Sequence, residues 1–168
     1  MKVLGIDPGS HRTGWGVIAA EGSRLAHEGS GVIMAGDGGL AERLVRIADG
    51  LDEVLARFRP DAAAIETIFH ANNSQSALIL GQARGVAIVC AVRGGAELFE
   101  YTAGQIKQAT VGRGRADKTQ VQQMVRLILG LDTHTMVLDT SDALAAAICH
   151  AQMYATPTAV FLRNAERK

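Results

Sequence analysis

Cysteine is scarce in this 168-residue chain: only Cys90 and Cys149 occur, far apart and with no CxxC spacing. A disulfide framework is not expected, and the pair reads as buried, reduced thiols of a cytoplasmic protein. The five histidines make no HxxxH or His/Cys cluster, which argues against a zinc site. A long hydrophobic run is missing too. The longest, "VAIVCAV" at 86–92, falls well short of the roughly 20 apolar residues that a bilayer requires, so no membrane association is expected. Asp7 interrupts the N-terminus before any signal-peptide core could form. Repeats, low-complexity tracts and interdomain linkers are absent from the sequence as well. Net charge is zero, with 17 Lys and Arg against 17 Asp and Glu. Taken alone, that balance argues mildly against a nucleic-acid partner, which usually leaves a basic footprint.

What is present suits one soluble domain with a sizeable core, at 48% hydrophobic and 20% charged residues. The domain is expected over residues 1–154, with 155–168 as a loosely held tail. Charge is unevenly placed: between Tyr101 and Lys118 lie Lys107, Arg113, Arg115 and Lys118 against the single acid Asp117. "KVLGID" (2–7), "GWGVIAA" (14–20) and "LAHEGSGVIM" (25–34) have strand composition and are joined by short turns, which predicts an antiparallel meander. Leu40, Leu44, Ile47, Leu51, Val54, Leu55 and Phe58 recur at helical spacing, and Pro60 closes that helix. "AAAIE" (62–66) and "AELFEY" (96–101) predict two further strands. Helices are predicted from Ser74 to about Val92, over 104–111, over 119–129 and over 139–154. Gly81 and Gly85 share a face of the first of these, where another backbone could approach closely. A meander followed by strand–helix alternation predicts an α/β fold with a five-stranded mixed sheet, three antiparallel strands then parallel ones, and helices on both faces.

Two strands finish on acids. Asp7 and Glu66 each close an apolar run, and Asp139 and Asp142 lie three apart on one face at the start of the last helix. Three of the four have an ordinary explanation: "DPG" opens turns, and the aspartate pair could cap a helix for about 1 kcal/mol, whereas a buried strand rarely finishes, as at Glu66, on a carboxylate without a partner. Converging, the four would crowd several carboxylates together, and repulsion would force protons onto some unless a cation bound. Mg²⁺ prefers oxygen ligands, and two such ions about 4 Å apart activate a water and stabilise the leaving oxygen of a phosphodiester.

Four stretches, "GIDPGSHRTGWGVI" (5–18), "AIETIFHANNSQSALILGQARGVAIVCA" (64–91), "FEYTAGQIKQATVGRGRADKTQVQQMV" (99–125) and "DTSDALAAAICHA" (139–151), resemble the RuvC family of bacterial Holliday junction resolvases. The resemblance implies a ribonuclease H-like fold and a homodimeric endodeoxyribonuclease that acts on four-way junction DNA in recombination and repair, leaving 5′-phosphate and 3′-hydroxyl ends. It implies that Asp7, Glu66, Asp139 and Asp142 hold two Mg²⁺ ions, with Mn²⁺ a possible substitute. Lys107 and Lys118 match basic residues near the scissile strand, and Phe69 matches an aromatic that stacks on junction bases. The helix "SALILGQARGVA" matches the dimer-forming surface, and RuvA and RuvB are the implied branch-migration partners. Arg113 and Arg115, between glycines, are expected on a loop that touches phosphates. Three other classes share parts of the pattern. Actin-like ATPases and sugar kinases carry a similar first turn but need two such lobes. RNA-directed relatives of the RuvX type would be expected to lack "LGQARGVA". A non-catalytic junction-binding module would gain nothing by presenting four acids to phosphates.

Overall fold

The computed structural model describes residues 1–67, 74–132 and 138–155, with Leu138, Asp139 and Ala155 described by their backbone alone. Successive residues of the central strands turn to opposite faces of the sheet, and both faces are buried. β1 (Lys2–Asp7), β2 (Arg12–Glu21) and β3 (Arg24–Met34) form the antiparallel meander. β4 (Ala62–Glu66) then runs parallel to β1, and β5 (Glu97–Tyr101) parallel to β4, giving the order β3-β2-β1-β4-β5. β1 and β4 therefore lie at the centre of the sheet, side by side.

Each face of the sheet carries its own apolar layer. Leu4, Ile6, Val17, Ala63 and Ile65 pack against α1 (Leu40–Phe58) and α2 (Ser74–Arg93). Val3, Ile18 and Ala64 face the opposite way, onto α3 (Ala103–Val111), α4 (Lys118–Leu129) and α5 (Leu138–Ala155). α1 buries Ile47, Leu51, Val54, Leu55 and Phe58, the stripe that its apolar spacing predicts. It stops where Arg59 turns left-handed at φ 46°, one residue before Pro60.

α5 is alanine-rich because it lies directly on the strands. A β-carbon built on Gly5 would overlap the Ala143 carbonyl, and one on Gly16 would strike the Leu144 side chain. These two glycines let the helix backbone settle onto β1 and β2. Residues Ala143 to Cys149 of that helix are buried throughout. Burial pushes the Cys149 thiol up to about 12, and the Cys90 thiol is raised by the same cause. Both cysteines are free and buried, as the sequence implied. Beside Cys149, His150 Nδ1 pairs with the Tyr101 hydroxyl at 2.7 Å, tying α5 to β5.

Boundaries shift slightly from the sequence expectation. β2 begins at Arg12 rather than Gly14, because Thr13 Oγ1 donates to the Gly9 carbonyl at 3.0 Å and closes the turn early. α4 begins at Lys118, with Asp117 accepting from the Gln120 N–H and the Gln120 side chain returning to the Asp117 N–H. That reciprocal cap gives Asp117 a structural task, worth about 1 kcal/mol. By length and composition alone α2 could cross a membrane, although its longest uninterrupted apolar run could not.

Candidate active site

The site lies where β1 and β4 end beneath the first turn of α5. Val3 and Gly5 face α5, so alternation turns Asp7 to that same side of the sheet. Ala64 likewise faces α5, and Glu66 follows it two residues on. The parallel register pairs Ile6 with Ile65, which sets Asp7 and Glu66 one step further along neighbouring strands. Gly5 against Ala143 then draws the start of α5, with Asp142, over the same end of the sheet.

Glu66 and Asp142 line one cavity of about 240 Å³ together with Lys107, Lys118, Ile106 and Val121. The Glu66 carboxyl is held above its ordinary range, first by burial and then by the Asp142 charge. Lys107 and Lys118 oppose that shift without cancelling it. Lys118 Nζ reaches Asp142 Oδ2 at 2.7 Å, a charge-assisted contact made from the first turn of α4. Lys107 projects from α3, which is capped reciprocally by Thr102 and Gln105. Two acids and two ammonium groups therefore converge from a strand end and three helices.

Among the other sequence candidates, Arg113 and Arg115 sit exposed in the turn between α3 and α4 and do not line this cavity. Asp139 lies on α5 three residues before Asp142, by its backbone alone. Phe69 lies outside the described residues. Among the described residues no group of three or more potential metal ligands closes. Sequence reasoning missed Arg84, whose Nε donates to the Glu66 carbonyl at 3.2 Å and whose Nη2 pairs with Glu100. No local pattern marks it, because its partners come from β4 and β5.

Donor chemistry fits a hard divalent cation. Among the described residues that line the cavity, the anionic groups are the carboxylates of Glu66 and Asp142, the oxygen donors that such an ion prefers. Burial and the Asp142 charge hold the Glu66 carboxyl above its ordinary range despite the two lysines. A cation between these acids would relieve that imbalance.

A mixed sheet of this order, with acids closing its two central strands, defines the ribonuclease H-like class of fold. Within that class the resemblance narrows sharply. The family model described as "Crossover junction endodeoxyribonuclease RuvC" matches residues 3–150. A protein of that name from Geotalea uraniireducens is 55% identical over 152 residues, covering 90% of this chain and 88% of its own. The solved structure of Thermus thermophilus RuvC superimposes with a TM-score of 0.83 at 39% identity, covering 92% of this chain and 95% of that one. A second Thermus thermophilus RuvC structure, in complex with a Holliday junction substrate, gives the same TM-score at 38% identity over 90% of this chain and 93% of that one. The chain belongs to the RuvC family of crossover junction endodeoxyribonucleases, a nuclease family.

Proposed function

We propose that this protein resolves four-way DNA junctions by metal-dependent hydrolysis, nicking two strands of like polarity. The observation that carries this reading is the half-buried Glu66 beside Asp142, facing two lysines in one cavity. Asp7, Glu66 and Asp142, with Asp139 beside them, would hold two Mg²⁺ ions, for which Mn²⁺ could substitute. When bound, such ions supply Lewis-acid stabilisation and an activated water for in-line attack on phosphorus. The protein's own groups do the remainder. Glu66 and Asp142 orient the site from two different elements, so the scissile phosphate is fixed from both sides. Lys118, already within hydrogen-bonding distance of Asp142, stabilises charge developing on the phosphate oxygens. Lys107 holds the cleaved strand against α3, and Arg113 and Arg115 contact phosphates from the turn between α3 and α4. Phe69 keeps the base-stacking role that the family resemblance gives it, worth about 1–3 kcal/mol per base.

Resolution needs two such sites, and α2 supplies the means of pairing them. Leu78, Val89 and Val92 are exposed, and a β-carbon at Gly81 or Gly85 would meet nothing within 4 Å. Leu78, Gly81, Gly85, Val89 and Val92 follow helical spacing, so they form one apolar, low-profile stripe. A second copy seated there would give a two-fold dimer, matching the two-fold junction. In Gly85→Leu the isolated fold keeps its space and gains roughly 0.5–1 kcal/mol of helix propensity, while the close approach of a partner helix is blocked. Light scattering is expected to show half the wild-type mass, with junction nicks no longer paired. A variant that keeps the wild-type mass removes α2 as the dimer seat.

The functional reading is tested by nicking of a synthetic four-way junction, compared with linear duplex and RNA–DNA hybrid, with and without Mg²⁺. Nicking confined to the junction and to Mg²⁺ is expected; equal cutting of all three substrates contradicts it. Action in the cytoplasm, with RuvA and RuvB as partners, belongs to the same reading and rests on the family resemblance.

A further inference from the structure

Arg84 stands on α2 one residue before Gly85, yet it points inward from the apolar stripe. Its side chain is 19% exposed, whereas that of its partner Glu100 is 46% exposed. One nitrogen, Nε, donates to the Glu66 backbone carbonyl at 3.2 Å, and another, Nη2, pairs with the Glu100 carboxylate on β5. The two acceptors belong to neighbouring strands. Glu66 pairs in register with Tyr101, the residue after Glu100, at the last rung between β4 and β5. On the far side, the pairing of β4 with β1 extends only to Ile65. Just beyond the rung, the Thr67 N–H and hydroxyl both donate to the Tyr101 carbonyl, at 2.8 and 3.3 Å. The end of β4 that carries Glu66 is therefore held to β5 through Thr67 and to α2 through Arg84.

We infer that Arg84 is a positioning residue, whose guanidinium straps the ends of β4 and β5 to α2 and so fixes where the Glu66 carboxylate points. A rigid, planar fork suits this task, because it satisfies a carbonyl and a carboxylate at fixed separation. A lysine is a single compact charge and can hold one acceptor well but not both. The strap also gives α2 a direct mechanical link to the acidic cavity. A shift of that helix on dimer formation is transmitted to the carbonyl of Glu66 through one side chain. This role rests on the functional reading above, in which Glu66 binds metal.

The test compares Arg84→Gln, Arg84→Lys and Glu100→Gln with wild type in full-length protein. Mn²⁺ affinity is measured by calorimetry without DNA, junction binding in metal-free buffer, and melting temperature in parallel. Arg84→Gln is expected to weaken Mn²⁺ binding and raise the Mg²⁺ needed for half-maximal nicking by about tenfold, the usual scale for groups that orient a metal ligand. Arg84→Lys recovers part of the loss, and Glu100→Gln shows a smaller change in the same direction. Junction affinity without metal stays at the wild-type level. Unchanged Mn²⁺ affinity in all three overturns the inference, and so does a loss that merely follows a fall in melting temperature. Wild type separates the two readings: if it binds no Mn²⁺, both fail, whereas a normal wild type beside unaltered variants overturns only the role of Arg84.

Discussion

Glu66→Gln is expected to abolish junction nicking while leaving junction binding intact and making the metal-free protein more stable. The loss follows from removing one carboxylate of the proposed metal site. If that carboxylate's share of transition-state stabilisation is about 4 kcal/mol, the rate falls roughly a thousandfold. Binding is expected to survive because the proposed phosphate contacts come from Lys107, Lys118 and the arginine turn. The gain in stability follows from the direction of the Glu66 shift. Burial and the Asp142 charge raise its folded-state pKa above the ordinary 4.5, so the folded protein holds this proton more tightly than the unfolded chain does. Folded stability from this group therefore falls as pH rises from the ordinary value through the raised one. Wherever the carboxylate is ionised in the folded protein, the wild type bears the penalty of a poorly solvated charge, and glutamine removes it. The advantage of the variant is largest above the raised pKa, shrinks as pH falls, and vanishes below 4.5, where the carboxyl is protonated in both states. Divalent metal reverses the ranking. At a hundred times its Kd a ligand stabilises by about 2.7 kcal/mol, and only the wild type gains this in full. Thermal melts with and without Mg²⁺ at two pH values check the whole pattern. A variant less stable than wild type in metal-free neutral buffer would contradict it.

Gly5→Ala is expected to damage both fold and cleavage. The added methyl would meet the carbonyl carbon and oxygen of Ala143 and the amide nitrogen of Ala147, all backbone atoms of α5. No side chain can rotate aside, so the helix must lift or the strand must bend. Overpacking of a tight core costs about 1–3 kcal/mol, and a backbone clash belongs at the upper end. For a domain of this size that lowers the melting temperature by roughly 6–12 °C. Cleavage is expected to fall further than the folded fraction does, because α5 carries Asp142 and a displacement of about 1 Å can cost a hundredfold. Gly81→Ala is the matched control for stability, since its β-carbon would meet nothing within 4 Å. Circular-dichroism melts of the two variants settle the contrast, and nicking by Gly5→Ala is compared with wild type. Equal stability of Gly5→Ala and wild type would show that α5 does not rest on β1 as described.

Much of this organisation is legible in the sequence, and the reasons are local. Short continuous apolar runs mark β1 and β4 as strands buried on both faces, and the acid that ends each run marks the rim of the sheet. Apolar spacing fixes the buried stripe of α1, and the close-set aspartates 139 and 142 mark the start of α5. Other features depend on contacts that no local pattern records. Gly5 and Gly16 look like unremarkable strand glycines until α5 is seated on them. Arg84 reads as a surface charge in an apolar helix until β4 and β5 bring it two acceptors. Asp117 was legible but easily misread: "DKTQ" has the spacing of a reciprocal helix cap, whereas its basic neighbours draw attention to charge.

Net charge is a poor guide to this site: two of the 17 basic residues, Lys107 and Lys118, stand beside Glu66 and Asp142 in one cavity, and on the proposed reading that local pair meets the junction's phosphates.

The most direct trial is a crystal of the protein grown with Mn²⁺ and measured at the manganese absorption edge. Anomalous density is expected between β1, β4 and α5, within coordinating distance, roughly 2.1 Å, of carboxylate oxygens from Asp7, Glu66 and Asp142. Manganese bound elsewhere, or these three carboxylates directed into separate spaces, would contradict the proposed metal site and the hydrolytic mechanism built on it.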